Sequence, residues 1–350
     1  MKDPHTHNKS LIAPLRAAIS DFEAKGVRRV LKALLHPDAV VHMPYPLGDM
    51  NGPDAYFDTC FAPLQQSMPD LERRDWIVMG GRTAHDSNWV GCAGHYFGTF
   101  VSPWLDIPPT GHLAHMRFHE FFRFEDEKIV EIQALWDIPE LMMQANAWPM
   151  APSLGREFCI PGPAGQDGLV PGPYNAEVSQ SSCQHVIDML ECLQKHPSQG
   201  GPEVMEMSRF WHARMNWYGP AGIGTCRGIS GFRNWHQIPF LNGMPDRGQH
   251  QSELTFHFFG DTNYVGVTGW PNMIQTISDD GWMGIAPSGK RITLKSLDFW
   301  RIESGKIREN WGLVDLLDIY KQLDVDVLGR MREFSKCRVS GSIPFPVGGV

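Results

Sequence analysis

The sequence predicts an α+β chain of two tandem domains, each with helices on one face of a curved antiparallel sheet. Three observations predict it. The chain repeats itself over the length of a whole domain, each copy places its helices before a run of hairpin strands, and those strands alternate apolar and polar residues.

The repeat is plainest where HDSNWVGCAGH (85–95) returns as GDTNYVGVTGW (260–270). Met68-Pro69-Asp70 returns as Met244-Pro245-Asp246, Gly52 as Gly228, and PTGH (109–112) as PSGK (287–290). EFFRFEDEKIVEIQALWD (120–137) returns as DFWRIESGKIRENWGLVD (298–315). The offset is 176 early, 175 at the first pair quoted and 178 at the last, so the copies are collinear and differ by a few loop residues. A period this long marks a duplicated domain, not a solenoid.

Each copy opens with helices, about 8–35 in the first and two segments within 180–214 in the second. A turn rich in Pro and Gly leads to a short helix near 52–67 and 228–241. Strands follow. RFHEFFRFE alternates large apolar with polar residues, the period of a half-buried strand. The turns EDEK and ESGK each join such a strand to the next in a hairpin. Between the copies, 147–178 holds PGPAGQDGLVPGP, follows neither period, and reads as an irregular linker on the surface. The expected domains are therefore 1–146 and 179–335, with a tail at 336–350.

Composition excludes several classes. A hydrophobic content of 42% and a charged content of 20% are ordinary for a globular chain. The net charge is −8 and no Lys/Arg-rich block occurs, which argues against nucleic acid and anionic membrane as partners. No apolar run reaches the roughly 18 residues of a membrane span, and MKDPHTHNKSLIAPL lacks the apolar core of a signal peptide. Seven scattered cysteines without a CxxC pair predict neither a disulfide framework nor structural zinc, and a cytoplasmic location. Twelve Trp and nineteen Phe suit both filled cores and large apolar cavities.

Strand alternation assigns faces. In 112–124 one face carries Ala114, Met116, Phe118, Glu120, Phe122 and Phe124; the other carries Leu113, His115, Arg117, His119, Phe121 and Arg123. The matching apolar face of the second copy carries Ile292, Leu294, Ser296, Asp298, Trp300 and Ile302. Both copies thus set a carboxylate, Glu120 or Asp298, among apolar side chains. Burial there disfavours the ionised form, which makes each a candidate acid or base. The alternative is that each pairs with a neighbouring donor or Arg and merely holds the sheet.

The order GHYFGTF, IPPTGH, RFHEFFRFEDEKIVE, then D-x-P-x-L-M-x-Q resembles the SnoaL-like polyketide cyclase family of the nuclear transport factor 2-like superfamily. The second copy, with PSGK, DFWRIESGKIRENW and DLLDIYKQL, resembles a more diverged member. The resemblance implies two cone-shaped domains, each a bent sheet and helices around a deep apolar cavity. It also implies pairing through the outer sheet faces, here as an intra-chain pseudo-dimer. The family places an acidic acid/base residue near this strand end, which points to Asp137 and Asp315, although either also reads as a helix N-cap. The family's usual Glu-His-Trp-Asp run is absent: the strand reads Glu131-Ile132-Gln133-Ala134 and Glu309-Asn310-Trp311-Gly312.

Histidines are unequal between the copies. His42, His95, His115 and His119 face Tyr218, Trp270, Thr293 and Leu297 in the other copy. This favours the first copy as the catalytic half, with His95 toward the cavity. His115 and His119, on the more polar face, are expected to meet solvent or the partner domain.

The functional expectation is a cofactor-independent, metal-independent acid/base enzyme acting on an apolar carbonyl-bearing small molecule. Proton abstraction beside the carbonyl would lead to aldol cyclisation, isomerisation or elimination. The candidate catalytic residues are Glu120, Asp137, His95, Asp298 and Asp315. The candidate substrate-binding residues are His42, Tyr45, Trp89, Tyr96, Phe118, Phe122, Tyr218, Trp270 and Trp300. The rival expectation is a non-catalytic binding or carrier protein of the same fold. Polar groups converging on a cavity floor favour the enzyme; an apolar sleeve with polar groups only at its mouth favours the carrier.

Overall fold

A computed structural model describes residues 4–169 and 173–335, so the predicted tail at 336–350 lies outside the described residues. The first domain runs α1 (Pro4–Ser20), α2 (Ala24–Leu34), β1 (Leu35–His42), β2 (Asp49–Asn51), α3 (Gly52–Tyr56), a π-helical turn (Phe57–Phe61), α4 (Ala62–Ser67), β3 (Glu72–Arg82), β4 (Asn88–Thr99), β5 (Leu113–Glu125), β6 (Lys128–Trp136) and α5 (Ile138–Gln144). Local chemistry sets several of these bounds. Glu23 caps α2 by accepting from Lys25 N and Gly26 N at 2.9 and 2.7 Å. The hairpin between β5 and β6 turns on Asp126 and Glu127, both with positive φ (44° and 64°), as a tight turn between right-twisted strands requires.

The second domain repeats the order. It runs α6 (Ala176–Gln194), α7 (Met207–Phe210), β7 (Trp211–Tyr218), β8 (Cys226–Arg227), α8 (Gly228–Phe232), a second π turn (Arg233–Gln237), α9 (Ile238–Gly243), β9 (His257–Asp261), β10 (Tyr264–Thr268), β11 (Met273–Thr276), β12 (Arg291–Leu294), β13 (Ser296–Glu303), β14 (Lys306–Val314), α10 (Leu316–Gln322) and α11 (Val327–Phe334).

The two six-stranded sheets have the same topology, β2-β1-β6-β5-β4-β3 and β8-β7-β14-β13-β10-β9. The sequence predicted antiparallel sheets. Each departs from that at one pair, since β1 lies parallel to β6 and β7 parallel to β14. The second sheet also breaks where the first does not. The strand matching β4 stops at Thr268, resumes as β11, and its partner is likewise split into β12 and β13. The interruption falls at Trp270-Pro271, where proline offers no N–H to the ladder. Asn272 staples the gap, donating to Ser296 O at 2.7 Å and accepting from Ser296 N at 2.9 Å.

The predicted strand faces hold. Ala114, Met116, Phe118 and Phe122 pack under the helices of their own domain, while Phe121 packs against the other domain. The two sheets stand back to back on their outer faces. Phe121 stacks on Phe299 with centroids 4.8 Å apart, and His119 Nδ1 lies 2.7 Å from Leu297 O. The repeated glycines explain part of the quoted rhyme. A Cβ on Gly91 would stand 2.7 Å from the Phe299 ring, and one on its counterpart Gly266 would stand 3.1 Å from the Phe121 ring. Each copy keeps a glycine to receive the other copy's phenylalanine.

The linker straps this interface. Gly168 O accepts from Val78 N at 2.8 Å in the first domain, and Pro161 O accepts from Trp311 Nε1 at 3.0 Å in the second. Ile160 is buried in the interface core. Among the described residues, no helix is long and apolar enough to cross a membrane.

Candidate functional site

The interior of the first domain is filled. Phe61, from the π turn, meets Tyr56, Trp136 and Tyr96 edge-on at 5.1, 5.6 and 6.3 Å. Phe118 and Phe122 complete the packing, both fully buried. Glu120 sits inside this plug with both carboxylate oxygens engaged. It accepts from Arg73 Nη1 at 2.6 Å, Tyr96 Oη at 2.8 Å and Trp136 Nε1 at 2.9 Å. Arg73 is itself shared with Asp75 at 2.9 Å. The structural alternative for Glu120 therefore describes its surroundings.

The second domain is hollow. A chamber of about 180 Å³ lies between its sheet and helices, with Trp217, Phe240, Trp282 and Trp300 on its walls. The repeat explains the difference. At an offset of 176 Phe61 becomes Gln237; at 175 Tyr96 becomes Pro271; at 178 Phe118 becomes Ser296 and Trp136 becomes Val314. Four large side chains from three strands and a π turn are thus replaced by smaller ones. Gln237, Ser296 and Val314 all line the chamber. Ile132 likewise becomes Asn310, which adds a polar group to the lining.

Asp298, the counterpart of Glu120, lines this chamber. It has no arginine partner. Its Oδ2 accepts from Ser296 Oγ, and Asn310 Nδ2 lies 3.4 Å from its Oδ1. Burial pushes its pKa up to about 6, against the opposing pull of those two donors and the more distant Arg117. Two residues along the same face, Trp300 carries a buried indole N–H without a hydrogen-bond partner. Gln237 is 1% exposed, and neither its amide nitrogen nor its oxygen is paired. His236 stacks on Trp217 with centroids 4.0 Å apart; burial drives its pKa down to about 3, so the ring is neutral.

The remaining predicted site residues lie at the domain interface. His95 was expected to face the cavity. Tyr96 points inward, so strand alternation turns His95 outward, where its Nδ1 accepts from Trp76 Nε1 at 3.2 Å. Burial holds that imidazole's pKa down to about 4. Trp89 is buried in the interface core. Tyr218 stacks on Trp311 at 5.4 Å, and His42 stacks on Trp270 of the other domain at 5.5 Å. Asp137 and Asp315 each reach across to the opposite domain. Asp137 Oδ2 accepts from Ala221 N at 2.9 Å and Asp315 Oδ2 from Tyr45 N at 2.9 Å. Both are buried, and burial pushes both carboxyls upward, Asp315 to about 7. Of the predicted site residues, the chamber brings together Asp298 and Trp300. The second copy's richness in Trp217, Trp282 and Trp300 suited a binding pocket, and all three line the chamber. Sequence reasoning missed Gln237, Arg247 and Asn310, whose signal lay in the repeat itself, where polar residues replace Phe61, Leu71 and Ile132.

Fold and site together define a tandem cone protein with one filled and one hollow half. The chain belongs to the SnoaL-like polyketide cyclase family, whose sequence profile matches residues 15–145 and 276–323, just over half of its length. No curated protein matches it. Solved structures similar to it include IdmH from Streptomyces antibioticus, a candidate polyketide cyclase (23% identity, 40% of this chain and 98% of that one, TM-score 0.34). A candidate SnoaL-like polyketide cyclase from Jannaschia sp. CCS1 is similar at 20% identity (42% of this chain, 96% of that one, TM-score 0.36). AclR from Streptomyces galilaeus, a candidate hydroxylase, is similar at 19% (42% and 85%, TM-score 0.35).

Proposed function

We propose that the second domain is the working half, and that it carries out a cofactor-independent acid/base reaction on a carbonyl-bearing small molecule. The observation that carries this reading is Asp298, a carboxyl without a cationic partner, set on an aromatic chamber wall with its pKa raised to about 6. A carboxylate in that range is a competent base near neutral pH. It takes a proton from the carbon beside the carbonyl, and the buried Trp300 N–H donates to the enolate oxygen that forms. The enolate then closes, isomerises or eliminates according to the substrate's own structure. Ser296 and Asn310 hold the carboxylate in place. The first domain serves as the scaffold against which the second is braced.

Deuterium exchange at the α-carbon of 4-phenyl-2-butanone, followed by proton NMR in deuterated buffer, tests this without knowledge of the natural substrate. The full chain is expected to speed the exchange, and Asp298→Asn to abolish the acceleration. Exchange unchanged in Asp298→Asn, or lost instead in His95→Ala, removes the reading. A chain that accelerates no exchange but retains a small molecule through purification, seen by native mass spectrometry, supports the carrier alternative.

A further inference from the structure

The chamber holds a second group that the acid/base reading leaves unused. Arg247 lies on its lining, in the turn that follows α9. Among the described residues its guanidinium makes no hydrogen bond or ion pair. The carboxylates nearest in sequence are engaged elsewhere. Asp246 accepts from Thr276 N at 3.0 Å and faces His250 at 3.7 Å; Glu253 pairs with Arg291 at 2.6 Å and with His250 at 3.1 Å. Burial lowers the Arg247 pKa to about 10, so the group stays charged. The unpaired Gln237 amide is on the same lining. In the first domain the residue after Met68-Pro69-Asp70 is Leu71, buried in the core; after Met244-Pro245-Asp246 it is Arg247. Arg247 is half-buried, and a partly desolvated cation without a counter-charge favours an anion bound beside it.

We propose that Arg247 and Gln237 form a carboxylate-binding subsite, so that the chamber's ligand is a compact ring-bearing carboxylic acid. The carboxylate pairs with the Arg247 fork and accepts from the Gln237 amide, while the apolar body lies against Trp217, Trp282 and Trp300. This rests on the second domain being the ligand chamber and adds the ligand's charge and size. A planar guanidinium matches a carboxylate edge to edge. A single cation in a chain of net charge −8 suits a monoanion better than a phosphate dianion. At about 180 Å³ the chamber is somewhat larger than a cavity of ~150 Å³ that takes benzene.

The test is titration of the full chain with benzoate, cinnamate and 3-phenylpropionate, each against its own amide, followed by tryptophan fluorescence. At least one acid is expected to bind about tenfold more tightly than its amide, the contribution of one charged hydrogen-bonded pair. Arg247→Gln should bring that acid down to the level of the amide, so that the preference between the two is lost. Arg247→Lys, which keeps the charge, should retain part of the preference. Equal affinity of acids and amides in the native chain, or a preference that survives Arg247→Gln, overturns the subsite and leaves the chamber standing. Saturable binding of none of the six overturns chamber and subsite together.

Discussion

Glu120 and Asp298 occupy the same strand position in the two copies, yet their surroundings differ in kind. Glu120 is held by Arg73, Tyr96 and Trp136. A carboxylate with both oxygens engaged by three donors inside an aromatic plug has no space to offer a substrate. Its removal should be felt in stability: Glu120→Ala is expected to cost about 3 kcal/mol in denaturant unfolding, at the low end for a broken buried pair because Asp75 still faces Arg73. α-Proton exchange by the folded protein should be unchanged. Asp298 should behave in the opposite way. Asp298→Asn removes the proposed general base, and the exchange rate is expected to fall about 10²–10⁴-fold with little change in unfolding. As the base must be ionised, the native rate should fall as pH drops through about 6, the pKa that burial gives this carboxyl. A rate profile flat across that pH would separate Asp298 from the chemistry.

At the scale of elements, the difference between the copies is made by the π turns and the strands facing them. The turns span Phe57–Phe61 and Arg233–Gln237, in register at an offset of 176, and both deliver their last side chain to the interior. One delivers an aromatic plug and the other an amide. Gln237→Phe is therefore expected to fill the second chamber as Phe61 fills the first. Binding of aromatic probes should be lost, while the melting temperature stays level or rises, because apolar packing replaces unpaired polar atoms. Much of this architecture was legible in the sequence. The repeat, the hairpins and the strand faces follow from periods of two and from alignment of the copies, and the pairing of outer faces follows from the family resemblance. The filling of the first half was not legible, because a cavity depends on side-chain volumes contributed by elements far apart in the chain. Phe61, Tyr96, Phe118 and Trp136 meet only once folded. The histidines drew attention to the first half for a related reason. His95, His115 and His119 alternate with inward residues and so crowd the outer face, where they serve the interface.

At the scale of the whole molecule, the interface has a pseudo-twofold clasp built on two buried carboxyls. Asp137 binds Ala221 N and Asp315 binds Tyr45 N, and Tyr45 and Ala221 are themselves 176 residues apart. Each strand-end carboxyl is placed beside a basic residue of its own domain, Arg117 at 3.3 Å and Lys295 at 3.9 Å. Burial nevertheless raises both, Asp315 to about 7, and Asp318 beside it adds to the effect. A folded-state pKa above the unfolded one means that the folded protein binds more protons, so stability declines as pH rises between the two values. The contribution of Asp315 is fully present below its ordinary value of 3.8 and is lost as pH rises through about 7. A tenfold gain in proton affinity on folding is worth ~1.4 kcal/mol, which sets a ceiling of a few kcal/mol on this contribution. Thermal unfolding of the native chain should therefore move to lower temperature between about pH 5 and pH 8. Asp315→Asn keeps an oxygen for Tyr45 N but cannot ionise, so its melting temperature should vary less over the same range and exceed that of the native chain at the upper end. Asp137→Asn should act in the same direction, and the double variant should be flatter still. If both variants instead melt lower than the native chain at pH 8, the ionised carboxylates hold the halves together and the pH response of the interface has the opposite sign.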